Sequence, residues 1–483
     1  MFEKFTAFTY DILWGWPLIA LILVGGLFFT VRSGFFQFRH LGKILVNPFK
    51  KTTVTGSKNT LTPFQAVSVA VGGSVGVSNI SGVGTAIATG GPGALFWLWI
   101  AALLGMAIKM AEVTLAVYYR STDAEGNHWG GPSYYMQKGL GEERGWKAWK
   151  VLAIIFGFGI FMTFFITLQN YTVADAIGST FNMPMWIPGL VMVLCIYAII
   201  LGGLKRVGEI AGYLVPFMCI FYVVCVLIIL VMNFRELPNA FGLIFKGAFT
   251  TQSAVGGFLG AGVAQAMKLG FARSVYSNEA GWGTSPMIHA TAAVEHPVRQ
   301  GMMGAFEVFV DTMVVCTATG LLVITTGTWQ TALRGPDLTL SAIESGVGGI
   351  ARIIVALSIF LFALTTATGW YSYYLTLLNH AFKDGHPAKK VVLVIYKALN
   401  PLFGFALTIF AFFSDSTGPV QMWVLADFSS AIPTFINVFV IVVLGNQFIK
   451  LVKDFKARYM NKGTVDPNFD VFYEDKTKKQ RAK

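Results

Sequence analysis

Charged residues are scarce in this chain. Only 12% of its 483 residues are Asp, Glu, Lys or Arg, whereas 55% are hydrophobic. A soluble globular protein carries roughly 25% charged residues. Apolar runs of about 20 residues recur along the sequence, and a helix of that length crosses the ~30 Å hydrocarbon core of a bilayer. We therefore predict an all-α polytopic membrane protein with no soluble catalytic domain.

The sequence also lacks the motifs of metal, redox and nucleotide chemistry. Its four cysteines lie in apolar runs without CxxC spacing, so we expect buried thiols rather than disulfides or a metal site. The six histidines show no HxxxH or HExxH spacing, and no P-loop is present. These absences argue against a membrane-embedded enzyme and against an ATP-driven pump.

Eleven transmembrane helices, called spans 1 to 11 below, are predicted from the apolar runs. Their approximate limits are 13–31, 62–88, 93–118, 150–178, 187–203, 209–232, 247–268, 304–326, 350–378, 388–412 and 420–449. Basic residues cluster in every second connection and leave only Lys4, Arg235, Lys246 and Arg334 on the other face. Because basic loops stay inside, we expect a cell-membrane protein with its N-terminus outside and its C-terminus in the cytoplasm.

The net charge of +12 does not require a nucleic-acid partner. Ten of the 36 Lys and Arg residues fall within 450–483, beyond the last span. Basic residues next to a membrane on its cytoplasmic face account for them. We interpret this segment as a solvated, partly disordered tail that sets topology, with a regulatory or partner-binding tail as the alternative.

The same glycine-rich pattern, GGxxG, occurs in span 2 at Gly72 to Gly76 and in span 7 at Gly256 to Gly260. Five spans separate the two, so they run in opposite directions. We infer an inverted repeat of 62–232 and 247–449, preceded by an extra helix and basic loop (1–61) and followed by the tail. Interrupted spans at matching positions of two halves indicate a transporter's binding site. The alternative is close helix packing through GxxxG.

Longer motifs follow both glycine runs. The first is followed by TGGPGALFWLW (89–99), GMAIKMAEVTLAVYYR (105–120) and GGPSYYMQKGL (130–140). The second is followed by SNEAGWGTSP (277–286), HPVRQG (296–301), DTMVVCT (311–317) and TTATGWYSYY (365–374). Together, over roughly residues 25 to 448, they resemble the alanine or glycine:cation symporter family.

This resemblance implies a LeuT-type five-plus-five core and import of small neutral amino acids coupled to Na⁺ or, less often, to H⁺. The chain departs from the family where GVSNISGV (76–83) replaces the usual G-T-G-N-I-A-G-V. It departs again where QNYTVAD (169–175) replaces Q-x-N-S-V-A-D. Both differences bear on substrate size and on the ion site.

The implied substrate is a zwitterion with a small side chain. We assign its carboxylate to backbone N–H groups of the unwound stretch Gly76, Val77, Ser78 and Asn79. We assign its ammonium to freed carbonyls around Gly256, Gly257, Phe258 and Gly260. Gln169 is a further polar contact, and Trp370, which matches the family's G-W, limits the space for the side chain. Interhelical bonding by Gln169 and simple packing by Trp370 are the alternatives.

The same resemblance implies a Na⁺ site between spans 2 and 9. The hydroxyls of Thr365 and Thr366 would join the backbone oxygens of Gly72, Val75 and Phe362. A hard cation prefers such neutral oxygens when water cannot follow it. The alternative is that the two hydroxyls bond back to carbonyls of their own helix.

Five ionisable residues fall inside or beside the spans: Lys109, Glu112, Asp175, Glu307 and Asp311. Lys109 and Glu112 share one helix face and are expected to form an ion pair, with a proton relay as the alternative. Asp311 is expected to be a buried carboxylate. The polar segment 277–286 is expected to form a structured loop or gate at the inner mouth.

The function predicted overall is secondary active import of alanine or glycine with Na⁺. An H⁺-coupled symporter and a relative that prefers glutamine or serine remain open. An uncoupled channel, a receptor and a membrane-embedded enzyme fit less well. A monomer suffices for this activity.

Overall fold

The computed structural model describes residues 2–50, 54, 60–76, 78–250, 262–333, 335–382, 385–413 and 418–481. Within these ranges it leaves out the side chains of 2, 3, 10, 418–423, 426 and 478–481.

Helices dominate the first half of the chain. The α-helices are α1 (Phe2–Ala7), α2 (Trp16–Arg32), α3 (Phe36–Arg39), α4 (Leu41–Val46), α5 (Pro63–Ser74), α6 (Val83–Gly90), α7 (Gly93–Tyr118), α8 (Pro132–Tyr135), α9 (Trp149–Phe165), α10 (Gln169–Phe181), α11 (Trp186–Ile200) and α12 (Gly203–Met232). Two short strands, β1 (Ser121–Thr122) and β2 (His128–Trp129), form an antiparallel hairpin after α7. π-Helical segments cover Phe8–Leu13, Ser78–Gly82 and Met136–Glu142, and Asn47–Phe49 is a 3₁₀ turn.

The second half is helical as well. It contains α13 (Leu237–Phe249), α14 (Val263–Asn278), α15 (Ser285–His289), α16 (Pro297–Val308), α17 (Thr317–Thr325), α18 (Gly335–Val347), α19 (Ile350–Ala381), α20 (Lys389–Phe413), α21 (Gly418–Val443), α22 (Gly445–Met460) and α23 (Tyr473–Arg481). A π-helical segment, Phe309–Cys316, joins α16 to α17, and Phe234–Glu236 and Thr328–Gln330 are 3₁₀ turns.

Within the described residues, seven helices are long and apolar enough to cross a membrane, or up to nine when each sharply bent pair counts as one span. The apolar helix α11 is shorter. The span predicted over 247–268 lies largely outside the described residues, between α13 and α14. The chain is a multi-pass helical membrane protein, and the total of eleven spans stays a prediction.

The long helices pack as two groups. In the first group α7 lies against α14 and α16, and α6 also contacts α14. In the second group α10, α11, α19 and α20 contact one another. The helix α5 connects the groups, because it packs on α19 of the second group and also contacts α16 of the first.

The local sequence explains how span 2 begins. The Thr62 hydroxyl accepts the Gln65 N–H at 3.1 Å, and the Gln65 side chain accepts the Thr62 N–H at 3.0 Å. This capping box, with Pro63 in the first turn, fixes the start of α5. A cap of this kind stabilises a helix by about 1 kcal/mol.

The glycines of span 2 serve both of the roles considered above. A Cβ on Gly72 would lie 2.8 Å from Val215 and 3.0 Å from Thr365, so this glycine permits close packing. Gly73 meets Gly369 of α19 so closely that a Cβ on Gly369 would lie 3.0 Å from the Gly73 Cα. The helix then ends at Ser74, Val75 is extended, and the two halves of the span meet at 50°. The packing residues therefore directly precede the helix break.

In the segment 450–483, expected to be solvated and partly disordered, residues 461–468 are exposed, whereas 469–477 are buried or half-buried. The Tyr473 ring is buried and its hydroxyl donates to Glu142 Oε2 at 2.9 Å. The Glu474 carboxylate accepts from the N–H and the hydroxyl of Thr122, at 2.7 and 2.9 Å. The tail thus packs on the hairpin and loop that follow α7. The buried ring of Tyr473 stabilises this packing, and the polar composition of the tail gives no indication of it.

Candidate functional site

A small cavity of about 110 Å³ lies between the two helix groups. Drug-sized ligands occupy pockets of roughly 300–1,000 Å³, so this cavity suits a smaller solute. Its wall comes from the broken part of span 2, from spans 4, 9 and 10, and from the segment after α14. Most of these residues lie near the middle of their spans. The cavity therefore has the position expected for a transporter site near the bilayer midplane.

Three of the predicted substrate residues from span 2 and span 4 line this cavity: Gly76, Ser78 and Gln169. Trp370 lines it too, and its ring packs edge-on against Trp282 with centroids 5.3 Å apart. Val77, Gly256, Gly257, Phe258 and Gly260 lie outside the described residues.

Asn79 and the Gly76 N–H, both assigned above to the substrate carboxylate, have hydrogen-bond partners within the protein. The Gly76 N–H donates to Asn79 Oδ1 at 2.8 Å, so it is already engaged. The Asn79 amide donates to Asp311 Oδ1 at 2.6 Å, and Asn79 is not among the residues that line the cavity. Asn79 stabilises the unwound backbone, because its short side chain can replace the missing helical acceptor.

Asp311 gains its partners from three elements. Besides Asn79 it accepts the hydroxyls of Ser277, at 2.9 Å, and Thr312, at 2.7 Å. The carboxylate is fully buried, and these donors satisfy it. It connects span 2, α14 and span 8.

Span 4 contains an interruption that the sequence analysis missed. α9 ends at Phe165 and α10 begins at Gln169, without a side-chain cap at its first turn. The first amides of a helix have no intrahelical acceptor and carry the positive end of its dipole. Thr167 and Gln169, both lining the cavity, bond to each other through their side chains. The polar run TLQNYT (167–172) inside an apolar span is the signal that could have predicted this break.

The residues of the predicted Na⁺ site converge where α5 meets α19. The Thr366 hydroxyl donates to the Gly72 carbonyl at 3.1 Å, across the two helices. The Thr365 hydroxyl donates to Phe362 O at 2.9 Å and to Leu361 O at 3.1 Å, within its own helix. Four of the predicted ligand oxygens thus form two pairs: the Thr366 hydroxyl with the Gly72 carbonyl, and the Thr365 hydroxyl with the Phe362 carbonyl. Val75 is buried at the end of the same turn of α5.

A cluster of buried ionisable side chains lies beside the cavity. Lys109 Nζ is 3.5 Å from Glu112 Oε1 and 3.4 Å from Glu307 Oε1, and all three side chains are fully buried. His289 Nε2 is 3.0 Å from Glu307 Oε2. The expected pair of Lys109 and Glu112 thus has additional members. Asp175, in contrast, is exposed on α10.

The segment 277–286 is buried rather than placed on the surface. Glu279 and Trp282 from this segment line the cavity. Glu279 has a positive φ of 54° at the end of α14, and the Trp282 N–H donates to its carbonyl at 3.1 Å. The segment was expected to form a structured loop or gate, and the position of these two residues in the cavity wall was not predicted.

Known proteins with similar sequences are transporters. The sequence profile of the sodium:alanine symporter family matches residues 1–471. YrbD of Bacillus subtilis, whose name assigns it provisionally to sodium/proton-dependent alanine transport, is 37% identical, covering 96% of this chain and 94% of YrbD. The sodium/alanine symporter AgcS of Methanococcus maripaludis is 39% identical, covering 75% of this chain and 79% of AgcS.

The fold agrees with a solved transporter. The crystal structure of MhsT in complex with L-phenylalanine superposes with a TM-score of 0.55 at 13% identity, covering 80% of this chain and 94% of MhsT. At that identity the likeness shows the LeuT-type fold alone. Together with the profile and the sequence relatives, it establishes the class: this chain is a member of the sodium:alanine symporter family, an amino acid:cation symporter and not an enzyme.

Proposed function

We propose that this chain imports a small neutral amino acid, alanine or glycine, by symport with Na⁺ through alternating access. The observation that carries this proposal is the small cavity, lined by both polar and apolar residues, beside the paired oxygens of Thr366 and Gly72. All the residues proposed to bind the substrate and Na⁺ belong to one chain, so a monomer suffices for this function. The protein lies in the cell membrane with its N-terminus outside and its C-terminus in the cytoplasm.

The substrate carboxylate is proposed to face Gln169 and the start of α10. Because the Gly76 N–H and the Ser78 hydroxyl both donate to Asn79 Oδ1, the remaining donors of this wall are the Gln169 amide and the first amides of α10. A helix N-terminus favours a carboxylate through its free N–H groups and its dipole. The ammonium keeps its proposed acceptors, the carbonyls of Gly256 to Gly260.

The side chain of the substrate is proposed to face Trp370. This ring is held by Trp282 and by Tyr373, whose centroid lies 5.5 Å away. A rigid aromatic wall leaves room for hydrogen or a methyl group in a cavity of about 110 Å³. A glutamine side chain would have to displace it, so this geometry favours alanine and glycine.

The Na⁺ is proposed to bind between Gly72, Val75, Phe362, Thr365 and Thr366. Thr366 and Gly72 belong to different helices, α19 and α5, so an ion held by both couples the position of span 2 to that of span 9. Such a site prefers Na⁺ over a divalent ion, because its oxygens are neutral.

Uptake of labelled alanine into proteoliposomes containing the full-length chain tests the proposal. We expect accumulation under an inward Na⁺ gradient and an at least tenfold lower uptake with no gradient. Uptake that ignores both Na⁺ and H⁺ gradients would identify a channel instead. Competition by unlabelled glycine but not by glutamine would support the size argument, and preferred inhibition by glutamine would contradict it.

A further inference from the structure

The buried ionic cluster holds more carboxylates than cations. Its members are Lys109, Glu112, Glu279, Glu307 and His289, each at most 2% exposed. Gln300 Nε2 lies 2.7 Å from His289 Nδ1, so the amide donates there, and the imidazole is neutral with its proton on Nε2 toward Glu307. The cluster therefore contains one ammonium and three carboxyl groups. A buried charge without a partner costs several kcal/mol, so the cluster must hold at least one additional proton or cation.

The three carboxyl groups differ in their donors. Glu307 receives His289 Nε2–H at 3.0 Å and lies 3.4 Å from the Lys109 ammonium. Glu112 accepts the Asn437 amide at 2.7 Å and lies 3.5 Å from the same ammonium. These donors favour the ionised form of both groups.

Of the three carboxyl groups, that of Glu279 has the fewest donors and cations to stabilise a negative charge. Its Oε2 accepts the Thr284 hydroxyl, and Lys109 Nζ contacts its backbone carbonyl, at 3.0 Å, rather than its carboxylate. Among the described residues, no donor reaches Oε1. A carboxyl group that is buried with one neutral donor is the one that a proton neutralises most readily.

Glu279 is also the member of the cluster that lines the cavity, as far as the structure describes the chain. Trp282, three residues later, lines the same cavity, and its buried indole N–H has no acceptor among the described residues. An unsatisfied donor and an unsatisfied carboxyl oxygen in one wall fit a small group that both donates and accepts, such as water. A proton could reach Glu279 through such a group from the cavity.

We propose that Glu279 is a proton-binding site of the transporter, which takes up H⁺ from the cavity and carries it with the substrate. The inference rests on the proposed amino acid symport and adds H⁺ to Na⁺ as a coupled cation. The protonated carboxyl reduces the excess negative charge of the cluster, and its deprotonation restores that charge after the cavity opens to the other side. The charged and titratable groups that face Glu279 come from α7, α14, span 8 and α19: Lys109, Tyr276, Glu307, Asp311, Tyr373 and Tyr374. Glu112 lies 3.5 Å from the same Lys109 ammonium.

The test follows the lumenal pH of proteoliposomes with a trapped pH-sensitive dye. In the wild type, alanine added outside under an inward Na⁺ gradient should acidify the lumen. Glu279→Gln should reduce this acidification at least tenfold, and Glu279→Asp should restore part of it. The matched control is Glu209→Gln, which removes a surface carboxylate paired with Lys205. Proteoliposomes with this variant should show the same lumenal acidification as those with the wild type.

A second variant keeps the proposal testable if Glu279→Gln fails to fold. Thr284→Val removes the one hydroxyl donor to the Glu279 carboxylate, which should raise the pH midpoint of alanine-driven acidification by about one unit. An unchanged midpoint, together with a folded protein, would overturn the proposal.

Three further outcomes separate the proposals. Na⁺-driven alanine uptake without acidification in the wild type overturns the proton site and leaves the proposed function standing. Loss of alanine binding by Glu279→Gln at every pH, without rescue by Asp, identifies a contact to the substrate ammonium instead and also overturns it. No uptake under any gradient overturns both.

Discussion

The Thr366 hydroxyl and the Gly72 carbonyl meet at 3.1 Å, although 294 residues separate them in the chain. This contact joins span 2 to span 9 at the point where α5 is about to end. A cation placed here would hold the two helices in one relative position.

Removing the Thr366 hydroxyl should weaken the response to Na⁺. Thr366→Ala takes away one of the predicted ligands, so we expect the half-saturating Na⁺ concentration for alanine uptake to rise about tenfold, the equivalent of ~1.4 kcal/mol. Thr368→Ala is the control, because that hydroxyl bonds back to Leu364 O at 2.9 Å in the same helix. If both variants and the wild type had the same half-saturating Na⁺ concentration, Thr366 would not be a ligand of the ion.

Gly76 should tolerate no side chain. A Cβ there would lie 2.9 Å from Thr366 Oγ1, a distance that forces the threonine or the backbone to move. Gly76→Ala should therefore lower both alanine affinity and Na⁺ affinity at least tenfold. Gly212→Ala makes an ordinary contact at 3.9 Å, and its uptake should equal that of the wild type. Normal uptake by Gly76→Ala would show that this turn does not contribute to either site.

Asn79 and Asp311 should behave as one unit. Asn79→Ala leaves the buried Gly76 N–H and the Asp311 carboxylate each short of a partner, which should cost roughly 1–3 kcal/mol for each group. A double-mutant cycle with Asp311→Asn, followed by thermal unfolding in detergent, should give clearly non-additive losses. Additive losses would mean that the 2.6 Å contact contributes little.

Lys109 should be essential for folding. Its replacement by Met removes the ammonium from between Glu112 and Glu307, and breaking such a buried pair costs about 3–5 kcal/mol. Adding Glu307→Gln to Lys109→Met should recover part of that loss, because one carboxylate then needs no counter-charge. Thermal stability of the two variants and the wild type is the measurement, and a stable single Lys109→Met protein would contradict the arrangement.

The stability of the predicted inner face should fall in mild acid. Burial lowers the pKa of His296 to about 4, although Asp454, 3.2 Å away, opposes this shift. The unfolded imidazole, with a pKa of about 6.5, therefore binds a proton before the folded one does. Stability is retained above pH ~6.5 and decreases as the pH falls toward 4, by on the order of 3 kcal/mol.

Unfolding at several pH values checks this expectation. His296→Asn keeps an acceptor for the Val298 N–H and should flatten the profile between pH 6.5 and 4. His386→Asn is matched, since the Ala388 N–H contacts its exposed ring in the same way at 3.2 Å, and it should leave the profile unchanged. An identical profile for His296→Asn and the wild type would exclude His296 as the cause.

Hydropathy and the glycine pattern predicted much of the fold. Long apolar runs are enough to locate helices, and the helix break in span 2 follows from Gly72 to Gly76. The contacts of the tail could not be predicted, because they depend on single aromatic rings, such as Tyr473, whose burial is not visible in the composition. The role of Asn79 could not be read locally, since its partner Asp311 lies 232 residues further on.

The two cavity residues that were missed show a related limit. Glu279 and Trp282 occupy a polar, glycine-rich stretch, which resembles a loop in solvent. Only the packing of that stretch against α7 and α19 reveals that it is buried. A charged residue that is buried by its tertiary neighbours carries no hydropathy signal of its own.

The contact between Gly73 and Gly369 bears on how the two helix groups can move. Most helix pairs interlock through side chains, which resist sliding and must change rotamers when a helix tilts. Here backbone meets backbone, with a hypothetical Cβ on Gly369 only 3.0 Å from Gly73 Cα. With no side chains interlocked at this contact, span 2 can rotate against span 9 about this point. The proposed cation site lies one helical turn away, so its ligand distances change with the angle between the two spans.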